Sequence, residues 1–437
     1  MSWRHVLNWP AQLTAIHAVL LRNNRLVMWG FGEPNSNLVC KAWVVNLDTW
    51  EFFQINCTVN NIFCAGHSML ADERVLVAGG TDSTQGENGE GFGTLFATLL
   101  VPDGTPAGAH WEAAQPMGTV EPDDARWYPT NTTLPDDRPL VLSGTTHLAP
   151  PIPPGTRVYN KKVQLYVPAS NLWLTALIEQ QLPLYPNMYL IPPGYVFYAG
   201  RAIEPNPPGD QTLALRLSDL TWHLVTSGFT DGGIGEHNSS CMFAPGKVLR
   251  SGGDSLAGAG ASNLAATIDL SNWQDGQPAS WQTAAPMNHA RRDHTLVALP
   301  NGLALAMGGQ ATKDYSLPVT TPEVLDPSNP TVPWVNWDAP PDPSFDPRTY
   351  HSIAFLLLSG RIFIAGGQKT QTTTYPSGDI YTPPVIANES ERPVINTAPA
   401  SIQYGVQFSV DRNGGSFGSS IRVKSLMNQS EQPRKEK

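Results

Sequence analysis

The sequence predicts an all-β fold in the form of a seven-bladed β-propeller. Three observations support this prediction: a turn-rich composition, a strand-turn-strand unit that recurs seven times, and a tryptophan near most of these units. The 437 residues include 38 Gly and 40 Pro, while only 15% of the chain is charged. Hydrophobic residues make up 41% of the chain and can supply a core. This composition excludes disorder, collagen-like repeats and coiled coils as the main architecture.

The clearest repeat unit runs from Gly66 to Gly80 and contains a strand, a short turn, an apolar strand and a glycine pair. Alignment of the seven units gives a column of corresponding residues, with steps of 49 to 64 residues: Ala15, Cys64, Tyr128, Tyr185, His237, Asp293 and His351. These steps are close to the period of about 50 residues that is typical of kelch repeats. Tryptophans precede most units, at Trp50, Trp111, Trp173, Trp222, Trp281 and Trp337. One blade cannot bury both of its faces, so seven blades packed around an axis are expected.

The repeats end near Pro384, and we expect residues 1–384 to form the propeller. The segment 401–410 alternates polar and apolar residues like a strand. Residues 385–437 are too few for a β-sandwich of about 100 residues. We therefore predict a partial immunoglobulin-like β-sandwich segment over 385–437, with a disordered tail.

The charge distribution excludes some classes of partner. Lys and Arg number 27 against 37 Asp and Glu, a net charge of -10. Nucleic acid is therefore not expected as a partner, because its binding depends on basic clusters. No apolar run approaches the roughly 18 residues of a membrane span, and no secretory signal is visible at the N-terminus. As the chain stands, we expect a cytoplasmic monomer.

The repeat column contains the residues that could carry chemistry. The innermost strands of a propeller line its central channel, so we expect the column to converge on the axis. From Cys64 onward all of its members are polar or reactive, which favours a pocket over a purely structural ring. Taken singly, each has a structural alternative: Cys64 as a buried thiol, Tyr128 as an inward aromatic residue, and His351 as a hydrogen-bonded core residue.

Three short motifs are informative because of their order on successive units. They are Ile62–Ser68 (IFCAGHS), Ala125–Thr130 (ARWYPT) and Arg348–Ser352 (RTYHS). Together they resemble the glyoxal oxidase and galactose oxidase family of copper radical oxidases, and the resemblance extends over all seven predicted blades. It implies an enzyme that oxidises a small aldehyde or primary alcohol and reduces dioxygen to hydrogen peroxide.

The resemblance also implies the roles of individual residues. Tyr128 corresponds to a copper ligand that is joined to Cys64 by a thioether, and this modified tyrosine holds the radical. Tyr350 corresponds to the axial ligand and base, and His351 to a nitrogen ligand. The implied cofactors are thus copper and a protein-derived Tyr-Cys radical. A mixed set of N and O ligands suits Cu(II).

Some features of the sequence depart from the family pattern. The family takes a fourth ligand from a histidine in its C-terminal domain, whereas all ten histidines lie at or before 351. We therefore expect the chain to stop short of that ligand, and a truncated relative of a working enzyme is one alternative. The family is also mostly secreted. A catalytically inactive kelch scaffold that binds a protein partner is another alternative.

The predicted substrate pocket differs from that of galactose oxidase. Leu184–Pro186 stands where the resemblance would place a sugar-binding arginine, so galactose is not expected as the substrate. The resemblance would also place an aromatic residue stacked over the radical tyrosine after the third blade, where the sequence instead reads SGTTH over 143–147. Tyr185, His237 and Asp293 are expected to shape the pocket, although each could equally be a structural hydrogen-bonding residue. Cys40 and Cys57 could pair, but their spacing does not decide it.

Overall fold

The computed structural model describes residues 3–32, 40–82, 92–119, 123–148, 157–200, 211–227, 234–256, 258, 260–370, 372–386, 394–397 and 411–413. Within these ranges the chain is almost entirely β, with one short 3-10 helix at Pro384–Ile386. Seven four-stranded antiparallel sheets form the blades of a propeller. The predicted all-β, seven-bladed fold is thus confirmed.

Strand β1 (Trp3–His5) opens the chain, and the first three blades follow it. Blade 1 contains β2 (His17–Leu20), β3 (Arg25–Gly32), β4 (Cys40–Asn46) and β5 (Phe52–Gln54). Blade 2 contains β6 (Gly66–Met69), β7 (Val75–Ala78), β8 (Ala97–Pro102) and β9 (Ala109–Ala113). Blade 3 contains β10 (Thr130–Thr133) and β11 (Pro139–Leu142), then an inserted hairpin of β12 (Thr145–Leu148) and β13 (Arg157–Tyr159), then β14 (Lys162–Val167) and β15 (Leu172–Glu179).

The remaining four blades repeat this order. Blade 4 contains β16 (Met188–Ile191), β17 (Tyr195–Tyr198), β18 (Gln211–Arg216) and β19 (Thr221–Ser227). Blade 5 contains β20 (Asn238–Ala244), β21 (Lys247–Gly252), β22 (Ala265–Asp269) and β23 (Gln282–Ala284). Blade 6 contains β24 (Thr295–Ala298), β25 (Ala304–Met307), β26 (Glu323–Leu325) and β27 (Val335–Asn336), and blade 7 contains β28 (Ser352–Leu356), β29 (Ile362–Gly366) and β30 (Gly378–Tyr381).

The first strands of neighbouring blades contact one another, which places them innermost. Such contacts join β6 to β10, β10 to β16, β20 to β24 and β24 to β28. The hydrophobic core is divided among the interfaces between blades. One buried cluster, for example, joins Phe197 of blade 4 to Val248 and Ile268 of blade 5. Each blade therefore buries its two faces against its neighbours, as expected for radial packing.

The ring is closed by the N-terminal strand, a feature that the repeat pattern did not predict. β1 pairs with β30 as the fourth strand of blade 7, with Trp3 opposite Tyr381 and His5 opposite Asp379. The two ends of the propeller are thereby hydrogen-bonded into one sheet. Because β1 supplies the outer strand, β30 of blade 7 is paired on both sides, like the third strands of the other blades.

The glycine pairs make room for the neighbouring blade. Gly79 and Gly308 have φ values of 76° and 68°, in the left-handed region. A Cβ atom at Gly79 would collide with the carbonyl oxygen of Arg126, and one at Gly308 with that of Arg348. Glycine is therefore required here both for its backbone conformation and for the close approach.

Three buried arginines recur just before the residues of the repeat column. Arg126, Arg291 and Arg348 donate to the carbonyl oxygens of Ser143, Gly308 and Gly366 respectively. Each also bonds a polar side chain on the third strand of its own blade: Gln164, Glu323 and Asp379. The arginines thus anchor the turns that carry the column.

Beyond the propeller, the structure describes only two short strands. β31 (Val394–Thr397) and β32 (Asp411–Asn413) pair antiparallel. The rest of the predicted sandwich segment and its tail lie outside the described residues, and the division at 384 stays a prediction. Among the described residues, no helix is long and apolar enough to cross a membrane.

Candidate functional site

The residues of the repeat column lie one to three positions before the innermost strands, rather than on them. Six of the seven have positive φ values: Cys64 (65°), Tyr128 (63°), Tyr185 (45°), His237 (57°), Asp293 (54°) and His351 (65°). Non-glycine residues rarely adopt this conformation, which costs roughly 1 kcal/mol or more. Because it recurs in successive blades, it belongs to the turn that enters each innermost strand.

Backbone hydrogen bonds join these turns from blade to blade. The amide of Tyr128 donates to the carbonyl of Cys64, and the amide of Tyr185 donates to the carbonyl of Tyr128, both at 2.9 Å. The amide of Asp293 donates to the carbonyl of His237 at 3.0 Å. These bonds join the column into two groups, Cys64 with Tyr128 and Tyr185, and His237 with Asp293, although their members are far apart in sequence.

Tyr128 and Tyr350 meet through their hydroxyl groups. Their Oη atoms are 2.9 Å apart, which is hydrogen-bonding distance. The ring of Tyr350 stacks on that of His351, with centroids 3.9 Å apart and an angle of 24° between the planes. Nδ1 of His351 is buried and has no hydrogen-bond partner among the described residues. Two phenol oxygens therefore meet beside the imidazole ring of His351.

The electrostatic surroundings favour the neutral forms of these groups. Burial raises the pKa of Tyr128 well above its usual range, with further increases from Cys64 and Tyr350. Burial also raises the pKa of Tyr350. Burial lowers the pKa of His351 to about 4, partly offset by Asp293 and Gln368. At neutral pH the imidazole is uncharged, the form that binds metals, and both phenols retain their protons.

The ring of Tyr128 lies against two other aromatic rings. Trp127 stacks on it at 3.7 Å and 13°, and Tyr185 stacks on it at 4.4 Å and 18°. The guanidinium of Arg157 lies 4.8 Å from the centroid of Trp127. The absence of an aromatic residue in 143–147 therefore does not leave Tyr128 uncovered. Tyr185, expected only to shape the pocket, also covers this ring.

A hydrogen-bond network links the other two predicted pocket residues to Tyr350. Nδ1 of His237 and Oδ1 of Asp293 are 2.6 Å apart, and Gln310 donates from Nε2 to Oδ2 of Asp293, also at 2.6 Å. Oε1 of Gln310 accepts from the amide of Tyr350 at 3.0 Å. The pair of His237 and Asp293 is therefore held in a fixed position relative to Tyr350.

All seven predicted site residues line one cavity of about 690 Å³: Cys64, Tyr128, Tyr185, His237, Asp293, Tyr350 and His351. Its size is within the usual range for small-molecule sites. The structure brings these residues together, while their individual roles stay predictions.

Sequence reasoning missed several residues of the site. Trp127, Arg157 and Tyr315 line the cavity, and Gln310 connects Asp293 to Tyr350. The sequence offered one usable signal, since Trp127 directly precedes a column residue. Arg157, Gln310 and Tyr315 lie outside the repeat column, so only the folded chain identifies them.

Known proteins resemble the chain over most of its length. It matches no protein-family model. It is 24% identical to galactose oxidase of Gibberella zeae over 97% of the chain and 61% of that protein. It is 26% identical to aldehyde oxidase GLOX1 of Arabidopsis thaliana over 92% of the chain and 71% of that protein. The chain thus spans about three fifths of the length of the galactose oxidase that it matches.

The fold has a counterpart among solved structures. A fungal alcohol oxidase of the AA5 family, solved in complex with copper, superimposes with a TM-score of 0.67 at 21% identity. The superposition covers 89% of this chain and 80% of the fungal one. The chain is thus similar in sequence to a galactose oxidase and an aldehyde oxidase, and similar in fold to a fungal alcohol oxidase.

Proposed function

We propose that the chain carries the site of a copper-dependent oxidase that oxidises small aldehydes or primary alcohols and reduces dioxygen to hydrogen peroxide. One observation carries the proposal: the contact between the hydroxyl groups of Tyr128 and Tyr350, 2.9 Å apart, beside His351. The names of the relatives, a galactose oxidase and an aldehyde oxidase, support an oxidase.

The residues present fit a copper ion. Cu(II) prefers imidazole nitrogen combined with oxygen ligands, and Tyr128, Tyr350 and His351 offer that set. The buried Nδ1 of His351 has no hydrogen-bond partner among the described residues, so a cation there would satisfy an otherwise orphaned atom. A cation would also favour loss of the phenol protons, whose pKa values burial raises.

Two other histidines of the cavity have hydrogen-bond partners of their own. Nε2 of His17 accepts a hydrogen bond from the amide of Cys64 at 3.2 Å. Nδ1 of His237 is paired with Asp293. We therefore propose Tyr128, Tyr350 and His351 as the ligands that this part of the chain contributes.

The proposed reaction assigns a task to each residue. Copper held by Tyr128, Tyr350 and His351 would supply one-electron redox chemistry beside the cavity. Oη of Tyr350, deprotonated in that state, accepts the hydroxyl proton of a primary alcohol, or of the hydrate that an aldehyde forms with water. Oη of Tyr128, oxidised by one electron, accepts a hydrogen atom from the substrate carbon. The two electrons and two protons removed from the substrate convert dioxygen to hydrogen peroxide.

The neighbouring residues prepare the site for this chemistry. Trp127 and Tyr185 lie against the ring of Tyr128 and limit its contact with water. His237 and Asp293 present polar atoms to a substrate in the cavity. Cys64 is expected to bond through Sγ to a ring carbon of Tyr128, with loss of the thiol and ring hydrogens to an oxidant such as dioxygen.

Two experiments test the proposal. First, the protein is loaded with copper in air and digested, and mass spectrometry searches for a peptide pair that joins Cys64 to Tyr128 with the loss of two hydrogens. Zinc-loaded protein is the control, because zinc has no redox chemistry. Absence of the linked pair after copper loading would rule out the radical mechanism for this chain.

The second experiment measures peroxide release with glyoxal, methylglyoxal and simple primary alcohols. Sustained release that depends on copper supports the oxidase and contradicts the inactive scaffold. No release from copper-loaded, folded protein on any of these substrates would favour the scaffold.

A further inference from the structure

Cys40 and Cys57 face one another across the outer strands of blade 1. In the ladder between β4 and β5, Trp43 lies opposite Gln54 and Val45 opposite Phe52. The same register places Cys40 opposite Cys57, as an antiparallel bridge at the end of the ladder. Each residue donates its amide hydrogen to the carbonyl of the other, both at 3.0 Å.

This pairing brings the two side chains within reach of each other. Directly opposed residues that exchange both backbone hydrogen bonds have Cα atoms about 5.5 Å apart, and their side chains lie on the same face of the sheet. Disulfides join Cα atoms roughly 4.4 to 6.8 Å apart, most often near 5.5 to 6 Å. The backbone at Cys40 and Cys57 therefore already has a separation that a disulfide requires.

Both thiols lie in the core between blades 1 and 2. Cys40 and Cys57 are 0% exposed and belong to the same buried cluster as Ile62 and Val77. All four cysteines of the chain are thiols in the structure. Sγ of Cys40 makes weak hydrogen bonds to three carbonyl oxygens, at 3.4 Å to Gly30, 4.0 Å to Phe31 and 3.9 Å to Lys41. Burial raises the pKa of both thiols, and Cys57 raises that of Cys40 further.

We propose that Cys40 and Cys57 form a structural disulfide when the chain folds in the presence of a disulfide oxidant. The two S–H bonds are lost and one S–S bond forms. Two electrons and two protons pass to the oxidant, for instance glutathione disulfide, which leaves as two thiols. Formation precedes complete packing of blade 1, because the buried native thiols are inaccessible and rarely ionised.

The disulfide has a consequence for Cys64. Cys64 follows Cys57 by seven residues and influences the pKa of Cys40, so three thiols lie in one region of the protein. A bond between Cys40 and Cys57 removes the two thiols that would compete with Cys64 for oxidation. This consequence rests on the proposed thioether between Cys64 and Tyr128, whereas the disulfide itself does not.

Peptide mapping of the full chain tests the disulfide. The protein is refolded with reduced and oxidised glutathione, alkylated in denaturant without reduction, and digested with trypsin. Cleavage after Arg25, Lys41 and Arg74 leaves Cys40 in peptide 26–41 and both Cys57 and Cys64 in peptide 42–74. We expect these peptides as a linked pair that has lost two hydrogens, carries one alkyl group on Cys64 and separates on reduction.

A second protease and two variants identify the cysteine that is bonded to Cys40. Chymotrypsin cuts after Phe63 and separates Cys57 from Cys64 in wild-type protein, so the assignment does not depend on a variant that folds. Cys64→Ala should retain the link and Cys57→Ala should lose it, with Cys241→Ala as the matched control. Alkylation of all four cysteines in the refolded wild type would overturn the proposal, as would a link that Cys64→Ala abolishes.

The test of the disulfide and the test of the thioether have independent outcomes. A thioether would join peptide 42–74 to the peptide that begins at Trp127, and reduction would not break it. Its absence leaves the disulfide result unaffected.

Discussion

The hydroxyl groups of Tyr128 and Tyr350 are 2.9 Å apart although the two residues are separated by 222 positions in the chain. Tyr128 enters blade 3 and Tyr350 enters blade 7, so their contact spans the mouth of the propeller. It exists only because the ring closes.

This contact predicts the effect of Tyr350→Phe. The variant removes the Oη that is proposed both as a base and as a copper ligand, and it leaves the ring stacked on His351. We expect peroxide release to fall by roughly 10²-fold to 10⁴-fold, the usual contribution of a general base. The measurement is the copper-dependent peroxide assay. Tyr166→Phe, in blade 3 and outside the cavity, is the control and should retain activity; equal losses in both variants would contradict the assignment.

The stacking of Tyr185 on Tyr128 predicts that two substitutions of Tyr185 lower the peroxide activity to different degrees. Its ring stacks on Tyr128 at 4.4 Å, and its hydroxyl donates to the carbonyl of Ala65 at 3.3 Å. Tyr185→Phe keeps the stack and loses a weak hydrogen bond, whereas Tyr185→Ala exposes one face of Tyr128. We expect the alanine variant to lose about 0.5 to 1.5 kcal/mol of stacking energy and more of its peroxide activity than the phenylalanine variant. Similar activity in the two would show that the stack has no role.

The contacts of Asp379 where the ring closes predict that Asp379→Asn lowers the free energy of unfolding more than His5→Ala does. Oδ1 of Asp379 lies 2.8 Å from Nδ1 of His5 in β1, and Oδ2 bonds the buried Arg348. Asp379→Asn leaves a buried guanidinium without a charged partner, which should cost about 3 to 5 kcal/mol of unfolding free energy. His5→Ala removes a partly exposed partner and should cost about 1 kcal/mol or less.

Denaturant unfolding monitored by tryptophan fluorescence measures both changes. Asp136→Asn is the matched control, since Asp136 pairs with Arg138 on the surface. It should change the free energy of unfolding by less than about 0.5 kcal/mol. Equal effects of the two aspartate substitutions would show that burial of the Arg348 pair is unimportant.

His67 predicts a dependence of stability on pH. Burial lowers its pKa from 6.5 to about 4 in the folded protein. Between pH 6.5 and 4 the unfolded chain binds a proton at this residue and the folded chain does not, so stability falls as the pH is lowered through this window. Below about pH 4 the contribution is constant. The full loss is on the order of 3 kcal/mol.

Unfolding curves of the metal-free protein between pH 4 and 7 measure this dependence. His67→Gln should be less stable at pH 7 but should lose less stability on acidification than the wild type. His110→Gln is the control, because carboxylates raise rather than lower the pKa of that exposed histidine. Parallel curves for wild type and His67→Gln would refute the prediction.

The sequence alone determined the number of blades and the residues that enter them. Each repeat encodes its own strands and turn and ends its second strand at one or two glycines, so local pattern and spacing sufficed to predict the propeller and to align Cys64, Tyr128 and His351. These features depend on contacts within one blade or with the next, and they recur often enough to be recognised.

Only the tertiary structure decided which side chains touch across the ring. The pairing of β1 with β30, the stacking of Tyr185 on Tyr128 and the bridge of Gln310 between Asp293 and Tyr350 have no signature in the repeat. They depend on the angle between successive blades and on where the ring closes. Those quantities are set by packing over the whole molecule, because each blade buries its faces only against its neighbours.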